Sequence, residues 1–141
     1  MIPPPSLAAE PRSTGRDAPL VLIVDDFADS REVYAEYLSY SGFRVEEASN
    51  AEQALELTHR LHPDIVVMDL SLPLMDGGEA TRRLKTDERT CAIPVIVLTG
   101  HTQPKHVRYV HDAGCDAFLV KPCLPEKLVA KVEELLQKAA S

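Results

Sequence analysis

At 141 residues, 45% of them hydrophobic, the chain is long enough for one domain to bury its own core without covalent staples. A formal charge of −7 with no clustered Lys and Arg excludes direct nucleic-acid binding as a reading, and no apolar run nears the roughly 20 residues that cross a bilayer. The cysteines, Cys91, Cys115 and Cys123, are odd in number and lack metal-ligand spacing, and the N-terminus lacks a signal-peptide pattern, so the expectation is a cytoplasmic protein with reduced thiols and no membrane partner.

Residues 1–17 carry Pro3, Pro4, Pro5 and Pro11 among small and polar neighbours, too little apolar surface to offset the entropy of ordering, and predict a flexible tail before a domain at 18–141. From there β-branched runs alternate with amphipathic stretches of helical length, the pattern of an α/β protein whose parallel sheet is covered on both faces. Leu20 to Val24 is a first buried strand, ended by Asp25 and Asp26. Asp29 or Ser30 then caps a helix that turns Val33, Tyr37 and Leu38 to one face, with Gly42 as its left-handed stop. Phe43 to Ala48 reads as a second strand. Asn50 with Gln53 forms a capping box before Ala54, Leu55 and Leu57, in a helix that runs out near His62 and Pro63. Ile65 to Met68 is a third buried strand ended by Asp69, and Leu72 to Gly78 a loop. Pro94 to Leu98 makes a fourth strand ending at Thr99 and Gly100. Ala117 to Val120 makes a fifth, ending at Lys121 and Pro122. Pro125 opens a last helix with Leu128, Val132, Leu135 and Leu136 inward.

Polar groups at the carboxyl ends of parallel strands converge on the crevice where the strand order switches. Here that edge receives Asp25, Asp26, Asp69, Thr99 and Lys121. Two like charges about 4 Å apart cost about 4 kcal/mol at an effective dielectric near 20, so three clustered carboxylates call for positive charge among them. Lys121 leaves two negative charges uncompensated, which one Mg²⁺, a hard cation suited to oxygen ligands, would neutralise. Positioning and charge neutralisation are also what phosphoryl transfer needs.

Val24-Asp25-Asp26, Met68-Asp69 through Met75-Asp76-Gly77, Leu98-Thr99-Gly100 and Val120-Lys121-Pro122 together resemble the bacterial response-regulator receiver family, in order and in spacing, from about Leu20 onward. The resemblance implies a flavodoxin-like, doubly wound sheet of five parallel strands in the order 2-1-3-4-5 with five helices. It implies that Asp69 accepts a phosphoryl group from a histidine kinase or phosphotransfer protein. Asp25, Asp26, Asp69 and the Ser71 backbone carbonyl would hold Mg²⁺, with Asp25 acting largely through water. Lys121 would pair with Asp69 or its phosphoryl group, Thr99 would move to bond that group, and Phe118 would turn inward in response. Ser71 and His101 would tune hydrolysis, and the peptide before Pro122 would be cis. The output face would be the fourth helix, fifth strand and fifth helix, the fourth helix bringing Lys105, His106, Arg108, Tyr109 and His111. Through it the domain would act on a downstream protein in trans or form a homodimer. Gly100 stands where Ala is frequent in the family, and Phe118 lacks a hydroxyl.

Blander readings stand beside these. Asp25-Asp26 in isolation is a solvated strand-end pair, the five histidines lie on solvated faces, and Phe118 is plain core. Two other functions compete with a phosphoacceptor regulator: an interaction module of the same fold that signals without phosphate, and a Mg²⁺-dependent phosphohydrolase. The second needs an acid two residues after its nucleophile, where this chain has Ser71.

Overall fold

The computed structural model describes residues 18–140, so the tail read at 1–17 lies outside the described residues. Its elements are β1 (Leu20–Val24), α1 (Ala28–Tyr40), β2 (Arg44–Ala48), α2 (Ala51–Leu61), β3 (Ile65–Asp69), α3 (Gly77–Thr86), β4 (Val95–Thr99), α4 (Pro104–Asp112), β5 (Ala117–Val120) and α5 (Pro125–Ala140). The strands form one parallel sheet ordered β2-β1-β3-β4-β5, as expected. The chain leaves β1 for β2 on one side and returns to β3 on the other, so the switch point lies between the carboxyl ends of β1 and β3.

Side chains alternate across a strand, and the three central strands are buried on both faces. Leu22, Val24, Val66, Met68, Val95 and Val97 pack with Ala51, Ala54 and Leu57 of α2, Ala80 and Leu84 of α3 and Val110 of α4. Val21, Ile23, Ile65, Val67, Ile96 and Leu98 pack with Tyr34, Ala35 and Leu38 of α1 and Leu128, Val132 and Leu135 of α5. Burying each such Leu, Ile or Val contributes about 1.5–3 kcal/mol. Among the described residues, no helix is long and apolar enough to cross a membrane.

Local signals hold in part. Gly42 has φ 97 after α1, and Asn50 Oδ1 accepts the Gln53 N–H at 2.8 Å while Gln53 Oε1 accepts the Ser49 N–H at 2.7 Å. The cap expected from Asp29 or Ser30 is absent: α1 starts at Ala28 with Phe27 as N-cap and no side-chain cap, which puts both residues inside the first turn. The face of α1 that docks on the sheet carries Tyr34, Ala35, Tyr37 and Leu38, and Val33, expected inward, lies beside it and is 38% exposed. Gly77 and Gly78, read as loop, form the first residues of α3, whose N-cap Asp76 accepts the Glu79 N–H at 2.8 Å. Leu74, in the loop before α3, has φ 68, a left-handed backbone that costs a non-glycine residue about 1–2 kcal/mol.

Candidate functional site

Asp25 directly follows β1, and its backbone and one carboxylate oxygen are held on three sides. Its N–H donates to Ala48 O (3.1 Å), its carbonyl accepts from the Arg31 guanidinium (2.7 Å), and its Oδ1 accepts the Phe27 N–H (2.9 Å). Arg31 is steadied in turn by Glu47 at 2.9 Å. The other oxygen, Oδ2, is fully buried and has no hydrogen-bond partner. Leaving a buried charged oxygen unbonded costs several kcal/mol unless a cation faces it.

Asp69, the last residue of β3, lies across the switch point and is buried. Ligand oxygens of Asp25, Asp26 and Asp69 fall within 4.8 Å of one another, with Asp26 exposed and the other two buried. Lys121, just past β5, reaches in from the far side: its Nζ is 3.2 Å from Asp69 Oδ2 and 3.7 Å from Asp25 Oδ2. The Lys121 N–H donates to Thr99 O at 2.8 Å, and the Lys121-Pro122 peptide is cis, as expected. Burial pushes the Asp69 carboxyl above its ordinary range, the ammonium of Lys121 opposes the rise, and Asp25 adds to it. Asp25 Oδ2, buried without a hydrogen bond, the convergence of three hard carboxylates and the partial relief from one lysine fit a small divalent cation.

The remaining predicted residues are distributed around this centre. Ser71 donates its N–H to Asp69 Oδ1 at 3.3 Å and is exposed. The buried Thr99 hydroxyl turns to its own loop, accepting the His101 N–H at 2.9 Å and donating to His101 O at 3.2 Å. Phe118 is 37% exposed, so it stands outward rather than in the core. His101 stacks on His106 with ring centroids 4.5 Å apart, and burial first, then His101 and Lys105, push the His106 imidazole below its ordinary value. A side chain at Gly100 would meet nothing within 4 Å, so the absence of the family's common Ala changes no contact.

Sequence reasoning missed a second bridge beside the pocket. Asp76 also accepts the Tyr109 hydroxyl, at 2.8 Å to Oδ1 and 3.1 Å to Oδ2, tying α4 to the start of α3. Gly78 makes room for the tyrosine ring, because a Cβ there would lie 2.4 Å from Tyr109 Cε2. Gly77 lets α3 approach β3, since its Cβ would sit 2.1 Å from the Asp69 carbonyl oxygen. The spacing Asp76-x-x-Glu79 is a helix-start signal that could have placed α3 correctly. The Tyr109 contact spans 33 residues and had no local signal.

The sequence profile of the response regulator receiver domain matches residues 21–133. The chain is 37% identical over 118 residues to the phosphate regulon transcriptional regulatory protein PhoB of Pseudomonas aeruginosa, covering 84% of this chain and 52% of that protein. It therefore spans about half the length of that relative. The polar-differentiation response regulator DivK of Brucella ovis is 29% identical, with 84% of this chain matching 97% of that protein. Among solved structures, a CheY-like response regulator receiver domain protein from Methanospirillum hungatei superposes with a TM-score of 0.83 at 26% identity, covering 88% of this chain and 98% of that one. The signal receiver domain of a signal transduction histidine kinase from Syntrophus aciditrophicus gives 0.81 at 32% identity, covering 86% and 92%. With the profile matched over most of its length and the acidic switch-point pocket in place, this chain belongs to the response regulator receiver domain family.

Proposed function

We propose that Asp69 is the phosphoacceptor of a phosphorelay, taking its phosphoryl group from a histidine kinase or histidine phosphotransfer protein in a Mg²⁺-dependent step. The observation that carries this reading is the buried Asp25 and Asp69 pair facing Lys121, with Asp25 Oδ2 left without a hydrogen bond at 3.7 Å from the ammonium. An Asp69 carboxylate oxygen attacks phosphorus and forms the acyl phosphate as the bond to the donor's imidazole nitrogen breaks, the leaving imidazole taking a proton. Asp25, Asp26, Asp69 and the Ser71 carbonyl would hold the metal, which when bound supplies charge neutralisation for the phosphoryl oxygens. Lys121 stays paired with the acceptor before transfer and with the phosphoryl group after it.

Burial raises the energy of a bare Asp69 carboxylate, so the ionised nucleophile and the more highly charged phosphoryl group both depend on Lys121 and a bound cation for compensation. The Thr99 hydroxyl, bonded only to its own loop, would leave His101 for the phosphoryl oxygens, and Phe118 would fill the space behind it. The α4-β5-α5 face would then change toward a partner in trans or a second copy. Ser71 and His101 flank the phosphoryl site and would set its lifetime. A cytoplasmic location belongs to this reading.

Incubation with phosphoramidate and Mg²⁺ is expected to add the mass of one phosphoryl group to the wild-type chain. The addition should be lost in Asp69→Asn and kept in Asp76→Asn. No mass gain in the wild type would leave the phosphate-independent interaction module as the better account, and repeated release of phosphate from phosphomonoesters would point to a hydrolase.

A further inference from the structure

Two side chains of α1, three residues apart and so on one face of the helix, hold the backbones on opposite sides of the acidic pocket. Arg31 donates from Nη1 to Asp25 O at 2.7 Å and from Nε to Glu47 Oε1 at 2.9 Å, so it ties the loop after β1 to both α1 and β2. The Tyr34 hydroxyl donates to Cys123 O at 2.9 Å, 89 positions along the chain, and both residues are buried. Burial first, then Cys123, Asp25 and Asp69, raise the Tyr34 phenol above its ordinary value, so the hydroxyl keeps its proton and remains a donor. The helix itself is anchored, since Tyr34, Ala35 and Leu38 share a core with Val21, Ile23, Val67 and Leu128.

Each bond acts on a backbone that carries pocket charge. The planar peptide after Asp25 joins it to Asp26, so holding the Asp25 carbonyl fixes the directions in which both carboxylates leave the chain. Cys123 follows Lys121 by two residues, and the Lys121 N–H donates to Thr99 O at 2.8 Å. Residues 121–123 are thus pinned by β4 at one end and by α1 at the other. That sets where the Lys121 ammonium stands, 3.2 Å from Asp69 Oδ2 and 3.7 Å from Asp25 Oδ2.

We propose that α1 is a brace that sets the separation of the pocket's acidic and basic sides, with Arg31 positioning the metal-holding carboxylates and Tyr34 positioning Lys121. The inference rests on the reading of this pocket as a Mg²⁺ and phosphoryl site. Both residues act through a backbone carbonyl rather than through a pocket carboxylate. Their roles separate by sign. Arg31 is a cation beside the pocket, so loss of its charge alone would tighten Mg²⁺ binding, whereas loss of positioning weakens it. Lys121 competes with Mg²⁺ for the same carboxylates, so a loosened lysine slows phosphoryl transfer without weakening the metal.

In the test, Mg²⁺ is titrated into the full chain without any phosphodonor, with amide NMR shifts as the readout, and labelling by phosphoramidate is then timed at saturating Mg²⁺. Arg31→Ala is expected to raise the Kd for Mg²⁺ about tenfold. Arg31→Lys, which keeps the charge but not the two-pronged bond, should raise it less. Tyr34→Phe keeps the ring and loses only the hydroxyl; it should label about tenfold more slowly, with a Kd no higher than that of wild type. Thermal melts check that each variant is folded at the assay temperature. A Kd at or below wild type in both Arg31 variants overturns the brace, as does labelling of Tyr34→Phe at the wild-type rate. Parallel loss of both quantities in every variant also overturns it, because that marks a general loosening of the fold. No response of the wild type to Mg²⁺ removes the metal reading, and no labelling of the wild type removes the phosphoacceptor reading; the brace falls with either.

Discussion

Tyr109 is 42% exposed, yet its hydroxyl is committed to Asp76 and its ring lies over Gly78. Burial, reinforced by the Asp76 carboxylate, pushes its phenol up to about 12 from the usual 10.0. The folded chain therefore holds this proton more tightly than the unfolded chain does. The resulting stability is fully present below pH 10.0 and is lost as pH rises through about 12. We expect the wild type to lose stability more steeply than Tyr109→Phe across that window, as measured by urea unfolding at successive pH values. Parallel curves would show that the hydroxyl makes no such bond in solution. The same residue scale explains Asp76, which serves the α3 N-terminus and Tyr109 at once and which no reading of the phosphoacceptor chemistry requires.

At the scale of elements, the N-terminus of α3 shows two glycines in different roles. Replacing an exposed helical Gly by Ala ordinarily gains about 1 kcal/mol. Here Gly77→Ala would drive a methyl group into the Asp69 backbone carbonyl, which is part of β3 and cannot yield locally. A loss of about 1–3 kcal/mol is expected from such overpacking, seen as a lower urea midpoint with an unchanged slope. Gly78→Ala meets only the far end of the Tyr109 side chain, which can swing away. Its expected cost is under about 1 kcal/mol, with loss of the alkaline effect described for Tyr109. Equal costs for the two variants would contradict the close approach of α3 to the phosphoacceptor strand. A comparable device closes the start of β4, where Asp116 Oδ2 accepts the Val95 N–H at 2.8 Å and the Lys85 ammonium at 2.9 Å.

For the molecule as a whole, the pocket is a place where folding concentrates negative charge that the unfolded chain spreads out. A cation that binds only the folded form stabilises it by mass action, about 2.7 kcal/mol at a hundredfold excess over its Kd. Mg²⁺ is therefore expected to raise the thermal midpoint of the wild type by several degrees, with EDTA reversing the gain. The increment should be much smaller in Asp25→Asn, which removes charge from the buried oxygen that lacks a hydrogen bond. A midpoint indifferent to Mg²⁺ would remove the metal from the account of this pocket. No phosphodonor is needed for this measurement, so it tests the site apart from its chemistry.

Four of the five strands were legible in the residues themselves, because each is a short apolar run that ends at, or just before, a polar residue: Asp25, Asp69, Thr99 or Lys121. Asn50, Gln53, Gly42 and Pro125 likewise marked element ends through local hydrogen bonds and backbone preferences that need no distant partner. The sheet order and the landmark roles came from resemblance rather than from periodicity, which does not say which strands lie side by side. Other features depended on residues far apart in the chain. The face of α1 that leaves Val33 exposed, the two glycines against Asp69 and Tyr109, the Asp76–Tyr109 bridge and the buried Asp25 oxygen without a hydrogen bond arise only once helices dock on the sheet. Sequence determined which groups this chain can bring to the sheet edge. Tertiary packing decided which of them are buried, which meet, and which are left without a partner, since desolvation and long-range contact exist only in the folded chain.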